Sequence, residues 1–233
     1  MGIGARMSEA MNSAQCSFGF RHDPRYALVL LLVFLVAFVG LGINPTSRED
    51  WLLENVLTVL ALVWVIWWYR RTPLSNLACT LMFVFGVLHE IGAHYQYSEV
   101  PYEAWFAAVS DGRSLDAMLG FERNQFDRLV HFLYGFLITP VAAEVICARV
   151  RLRGFWLFVL PVTFVMSHSL IYELIEWLAA SVVAPEVGQA YLGTQGDVWD
   201  AQKDMALATL GSLIVHPWWM FCRSRSADVR PAV

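Results

Sequence analysis

Four apolar stretches of the 233-residue chain each carry a pair of acidic or imidazole side chains at helical spacing: Glu90/His94, Asp127/His131, Glu173/Glu176 and Asp200/Asp204. Spacings of three and four residues put both members of a pair on one helix face. In a bilayer, one charged group near the midplane costs ~2.5–3.5 kcal/mol. Eight unpartnered groups would cost roughly 20–28 kcal/mol, more than a domain's typical net stability. These side chains must therefore meet one another, water or a bound cation. Paired ligands from facing helices are how bundle cores build metal sites. Carboxylates with a few imidazoles suit Mg²⁺, Mn²⁺, Fe²⁺ or Zn²⁺. The competing readings are a proton-sharing network and a purely structural web of buried hydrogen bonds, with Arg123, Arg128 and Lys203 as counter-ions.

The stripes extend beyond the pairs. His89, Glu90, Ala93, His94 and Tyr97 share one arc, and Asn124, Asp127, His131 and Gly135 share another. His168, Tyr172 and Glu176 follow at i+4 steps beside Ser169 and Glu173, and Asp200, Asp204, Ala208 and Gly211 form a fourth stripe. Small residues below the aspartates would let two helices approach closely. Glu54 and Asn55 could join the set. His131 titrates near neutral pH and suits an acid/base role, steadied by Asp127 one turn away.

Several familiar chemistries are excluded. His89 and His94 are five residues apart, not the four of a zincin helix. The six histidines are too few and too scattered for a membrane di-iron hydroxylase or desaturase. Asp197, Asp200 and Asp204 have the spacing D-x2-D-x3-D, which resembles the aspartate motif of intramembrane prenyltransferases. One copy on the outer face of six spans departs from that pattern. What survives is a divalent ion facing a phosphate headgroup, which Arg123, Arg128 and Lys203 could neutralise.

The elements that must position these groups are membrane helices. The chain is 58% hydrophobic and 15% charged, with mean hydropathy +0.51, against roughly 45–50% apolar and 25% charged for soluble domains. Net charge is −4, with no basic tract for nucleic acid. Spans of about 20 apolar residues are expected at 26–43, 51–69, 74–95, 126–148, 155–183 and 201–221. The first is expected to be retained as a helix rather than cleaved as a signal peptide. Residues 1–25 and 223–233 are expected as cytoplasmic segments around one all-α domain, 26–222. Eleven Lys/Arg then lie on the cytoplasmic side and five on the other, an N-in/C-in bias. It places the polar pairs at the periplasmic face. The first helix carries nothing comparable and reads as a lipid-facing wall. Residues 96–125 are expected to hold a short interfacial helix, and Asp197 or Asp200 is expected to cap the sixth span. Cys16, Cys79, Cys147 and Cys222 show no metal spacing and read as free thiols.

Four segments carry a family resemblance. They are Gly92-Ala93-His94-Tyr95-Gln96-Tyr97-Ser98-Glu99-Val100-Pro101, Arg123-Asn124-Gln125-Phe126-Asp127-Arg128-Leu129-Val130-His131-Phe132, Tyr172-Glu173-Leu174-Ile175-Glu176-Trp177, and Gly193 through Met205. In these the chain resembles the YjdF-like family of bacterial inner-membrane proteins, over about residues 26–219. The resemblance implies a multi-pass protein of the bacterial inner membrane and supplies no reaction. His89, Glu90 and His168 lie outside its pattern.

The expectation is a metal-dependent membrane enzyme acting on a lipid or lipid-linked phosphate. His94, Glu173, Glu176, Asp197, Asp200 and Asp204 would hold the ion, and His131 with Asp127 would handle the proton. The alternatives are a cation or small-solute transporter using the same carboxylates, and a non-enzymatic module with a structural polar core. Polar groups thin out toward the cytoplasmic halves, and inverted repeats are missing, which argues against transport.

Overall fold

The computed structural model describes residues 21–182 and 195–228, with side chains as far as residue 220. The expectations for 1–20, for 183–194 and for the end of the tail, with Cys16 and Cys222, fall outside what is described.

Every regular element described is a helix: α1 (Pro24–Leu41), α2 (Arg48–Tyr69), α3 (Asn76–His94), α4 (Tyr102–Val109), α5 (Leu115–Leu119), α6 (Phe126–Cys147), α7 (Phe155–Val182) and α8 (Asp200–Asp228). Five of them, α1, α2, α3, α6 and α7, are long and apolar enough to cross a membrane. The single interfacial helix expected at 96–125 is two short ones, α4 and α5.

Local sequence explains the starts. Asp23 caps α1 and Pro24 follows at the first turn, where its missing N–H costs nothing. Ser47 accepts from the Asp50 amide at the start of α2, and Ser75 from the Ala78 amide at the start of α3. Asn76 Oδ1 accepts from the Asp23 amide at 2.8 Å, which ties the beginnings of α1 and α3 together. At their other ends, His94 Nδ1 meets the Leu41 carbonyl oxygen at 2.7 Å. The two helices therefore run side by side in one direction.

The most extensive packing is between α6 and α8, followed by α7–α8, α3–α6 and α1–α3. Small residues make the first possible. A Cβ on Gly211 would lie 2.1 Å from the Phe132 carbonyl oxygen, so α8 rests directly on the α6 backbone. Below, Thr139 Oγ1 donates to Ser212 Oγ at 2.7 Å. α1 buries only Phe34 outright, while Ala27 and Leu30 pack against the cluster around Leu74 and Ala78.

At the opposite end from the polar pairs, Glu144 of α6 is buried against the start of α3. It accepts from the Ser75 amide at 2.5 Å and from Ser75 Oγ at 2.6 Å. Cys79 is a buried free thiol. Cys147 is disulfide-bonded, which corrects the reading of four free cysteines. The half-cystine stands at the last position of α6, where the apolar run alone carries no sign of a partner.

Candidate functional site

The polar pairs meet at one end of the bundle, where α2, α6 and α8 begin and α3 and α7 end. Asp127 and His131 come from the first turns of α6. Asp204 comes from α8, four residues before Ala208, and Glu173 from the last third of α7. Asp127, His131 and Asp204 each offer a ligand atom within 4.8 Å of the others. His131 Nε2 lies 3.5 Å from Asp127 Oδ1 and 3.7 Å from Glu173 Oε1. These separations exceed the usual 2.7–3.2 Å of a hydrogen bond. Two ligands on one tetrahedral ion at 2.0–2.1 Å stand about 3.4 Å apart, close to what His131 shows. Asp204 Oδ1 and Glu173 Oε1 are buried without a hydrogen-bond partner. An ion at Asp127, His131 and Asp204 would satisfy Asp204 Oδ1, so this donor set fits a metal.

More acids continue the centre inward, from α2, α3 and α7. Tyr172 packs edge-on against the His131 ring with centroids 6.0 Å apart, and its hydroxyl donates to Glu54 Oε2 at 2.9 Å. Glu54 feels Asp127 and His131 electrostatically, and Glu176 feels Glu54, Glu173 and Asp127. Glu90 lies beyond, 0% exposed, and interacts with the Glu54 carboxylate and the Asn55 side chain. Glu54 joins the group as the sequence allowed, and its link through Tyr172 ties Glu176 to the same acids.

Other expected members lie elsewhere. His94 spends Nδ1 on the Leu41 carbonyl and packs against Tyr95. His89 uses both ring nitrogens, Nε2 with Thr58 Oγ1 at 2.8 Å and Nδ1 with the Tyr97 hydroxyl at 2.5 Å. Gly92 admits this arrangement, because a Cβ there would meet the Tyr97 ring at 2.4 Å. His168 stacks on Tyr134 outside the centre.

Asp197 and Asp200 form a second, cationic layer above. Arg123 Nη2 donates to Asp200 Oδ1 at 2.6 Å, and Lys203 Nζ donates to Asp197 Oδ2 at 2.5 Å. Arg128 donates to the same Asp197 oxygen. Asp197 Oδ1 also accepts from the Trp199 amide at 3.1 Å, the local turn that starts α8. The Lys203 ammonium, that turn and the Arg128 guanidinium together hold the Asp197 carboxyl down at about 2. The two aspartates are thus engaged with cations, which leaves Asp204 as the member of the D-x2-D-x3-D run that enters the centre.

The segment between α3 and α6 closes this end. Asn124 and Gln195 exchange backbone and side-chain hydrogen bonds at 3.1 Å each, and Asn124 Nδ2 reaches the Val100 carbonyl at 2.9 Å. The Tyr102 hydroxyl donates to Asp116 at 2.7 Å and accepts from the Gln125 amide at 3.0 Å. Burial, helped by Asp116, pushes the Tyr102 phenol up to about 12.

Residues 26–225 match the family described as "Predicted membrane protein (DUF2238)". The chain belongs to this family. It is also 34% identical, over 188 residues, to "Inner membrane protein YjdF" of Escherichia coli (strain K12), a match covering 80% of this chain and 83% of the relative. No solved structure matches. The DUF2238 match spans the whole helical bundle, α1 to α8, and with the inner-membrane relative it assigns the chain to the inner membrane.

Proposed function

We propose that this DUF2238 protein holds a divalent transition metal at Asp127, His131 and Asp204, with Glu173 as a fourth ligand, and that the ion serves chemistry on a phosphate-bearing lipid. The observation that carries the reading is the meeting of ligand atoms of Asp127, His131 and Asp204 within 4.8 Å at the end of a membrane bundle, with Glu173 Oε1 3.7 Å from His131 Nε2. Together with Glu54, Glu90 and Glu176 this makes six carboxylates against one imidazole that faces them. Bringing that much negative charge into low dielectric needs a cation or shared protons. An imidazole among carboxylates favours Mn²⁺, Fe²⁺ or Zn²⁺ over Mg²⁺. His131 and Asp127 pass in this reading from acid/base to ligand, since His131 Nε2 is the atom facing the acids. A bound ion would act as a Lewis acid toward a phosphoryl oxygen. The topology that goes with it has six spans across 26–222, α8 being the sixth. The 1–25 and 223–233 segments then lie in the cytoplasm and the centre faces the periplasm.

The test is metal content of the detergent-purified protein by plasma mass spectrometry. About one equivalent in wild type, lost in Asp204→Ala and in His131→Ala, supports the centre. Metal retained in both variants, or absent from well-folded wild type supplied with Mn²⁺ and Zn²⁺, overturns it.

A second reading is cation transport, favoured by the acids that continue from Asp204 through Glu54 to Glu90. Metal flux into liposomes that Glu90→Gln abolishes would establish it, and tight liposomes would sink it.

A further inference from the structure

On the outer side of the α6–α8 pair runs an open groove of about 390 Å³, lined by Arg128, Lys203, Ala206, Leu207 and Leu210. Its floor is one α8 stripe: residues 203, 206, 207 and 210 follow the i, i+3, i+4, i+7 pattern of a single helix face. Leu210 is 47% exposed, so the floor is apolar surface on the bundle's outside. The mouth is cationic. Arg128 and Lys203 converge on one carboxylate oxygen, Asp197 Oδ2, while Arg123 holds Asp200 at 2.6 Å. Arg128 also reaches Asp200 Oδ1 at 3.5 Å and donates to Gln125 Oε1 at 3.2 Å. Three cations therefore share two carboxylates, and the Arg128 Nε–H is buried without an acceptor. The Lys203 side chain is 49% exposed at this mouth.

We propose that this groove is a binding site for an anionic phospholipid, its phosphate between Arg128 and Lys203 and the start of an acyl chain on Ala206, Leu207 and Leu210. Charge complementarity selects the occupant. A phosphate supplies the negative charge that three cations on two carboxylates lack, and its oxygens fit guanidinium donors in pairs. An apolar floor leading away from a basic mouth matches a chain leading away from a headgroup.

The placement has a consequence for the centre. Asp127 precedes Arg128, and Lys203 precedes Asp204. Neighbouring positions on a helix point about 100° apart. The same two helix starts thus present acids to the inside and cations to the groove, so a headgroup held outside stands one helix wall from the proposed ion. In naming the substrate class this inference rests on the metal-and-lipid reading above; the groove itself does not need the ion.

The experiment is native mass spectrometry of the full chain from mixed micelles holding equal phosphatidylglycerol and phosphatidylcholine. Wild type should retain one phosphatidylglycerol in preference, and Lys203→Ala should reduce that preference about fivefold. Leu207→Trp keeps both charges and fills the groove, and should reduce it as much; unaltered elution and melting show that both variants fold. Equal retention of the two lipids, or full preference in Leu207→Trp, overturns the proposal. Displacement of the lipid by inorganic phosphate alone would overturn the lipid as occupant. The measurement is repeated in chelator. Preference that survives there supports the groove even if the metal centre fails, and preference lost there overturns it, the anion then being drawn by the ion.

Discussion

Gly135 and Ala208 meet backbone to backbone: a Cβ on Gly135 would lie 1.8 Å from the Ala208 carbonyl oxygen. Gly135 stands one turn below His131, and Ala208 one turn below Asp204. The depth and separation of the proposed ligands are therefore set by this contact, as small residues set helix spacing elsewhere in membranes.

Gly135→Ala should force α6 and α8 apart. The expected cost is about 1–3 kcal/mol, as for other overpacked interfaces, read as a lower melting temperature in detergent. Metal content should fall with it, because His131 and Asp204 ride on the two helices. Gly40→Ala is the control: nothing lies within 4 Å of the added methyl, so α1 should melt unchanged. A Gly135→Ala protein that melts with wild type would mean that the two backbones do not touch.

Crowded carboxylates predict a change of sign. With the ion removed, Asp204→Asn relieves the cost of burying a charge and the repulsion from Asp127, Asp200 and Glu173, which together outweigh its attraction to His131. It should then melt above wild type in chelator. With Mn²⁺ or Zn²⁺ at about a hundred times its dissociation constant, wild type gains roughly 2.7 kcal/mol, and the order should reverse. Thermal melts of both proteins with and without metal check this. The same order under both conditions would remove the ion from the account.

The helices were readable because apolar runs in a membrane protein are long and uninterrupted. Expected spans at 51–69 and 126–148 end within three residues of the observed helices at either side. The stripe Asp204, Ala208, Gly211 was also readable, since a small-residue face under an acid means close packing wherever its partner lies. Arg123, Arg128 and Lys203 were readable as counter-ions, but which acids they would pair with, Asp197 and Asp200, was not. Those contacts join residues 69 to 77 positions apart, and they depend on α6 and α8 starting side by side. One sequence does not print that adjacency. Glu144 escaped for a related reason. A lone acid in an apolar run, without a second acid or histidine on its stripe, gives no pattern, and its partner Ser75 is 69 residues away.

Asp197 gives a pH window. Its carboxyl is held at about 2 against an ordinary 3.8, chiefly by Lys203. A carboxyl depressed in the fold stabilises fully above its unfolded value and loses that contribution as pH falls through the folded one. Wild type should therefore exceed Asp197→Asn by a constant margin from pH 5 to 8. The margin should shrink as pH falls below about 4 and be mostly lost by about pH 2, where the folded carboxyl is half protonated. Paired thermal melts across that range test it. A margin unchanged at pH 2 would show that Asp197 acts through shape alone.

Glu144 separates stability from the site. Its two oxygens take the Ser75 amide and hydroxyl in a buried place, so Glu144→Ala strands both donors. Hydrogen bonds to a charged group contribute about 1.5–3 kcal/mol each, and stranded buried donors are costly. The variant should melt clearly below wild type. Ser75→Ala leaves the amide bond but removes the hydroxyl bond and the α3 cap on the Ala78 amide, the cap alone being about 1 kcal/mol, so it too should melt below wild type. Both should keep the full metal content, because Glu144 and Ser75 lie where α6 ends and α3 starts, away from Asp127 and His131 at the start of α6. Melting curves beside metal analysis decide the matter. If Glu144→Ala loses metal while melting like wild type, the two ends of α6 are coupled, and the cap belongs to the site.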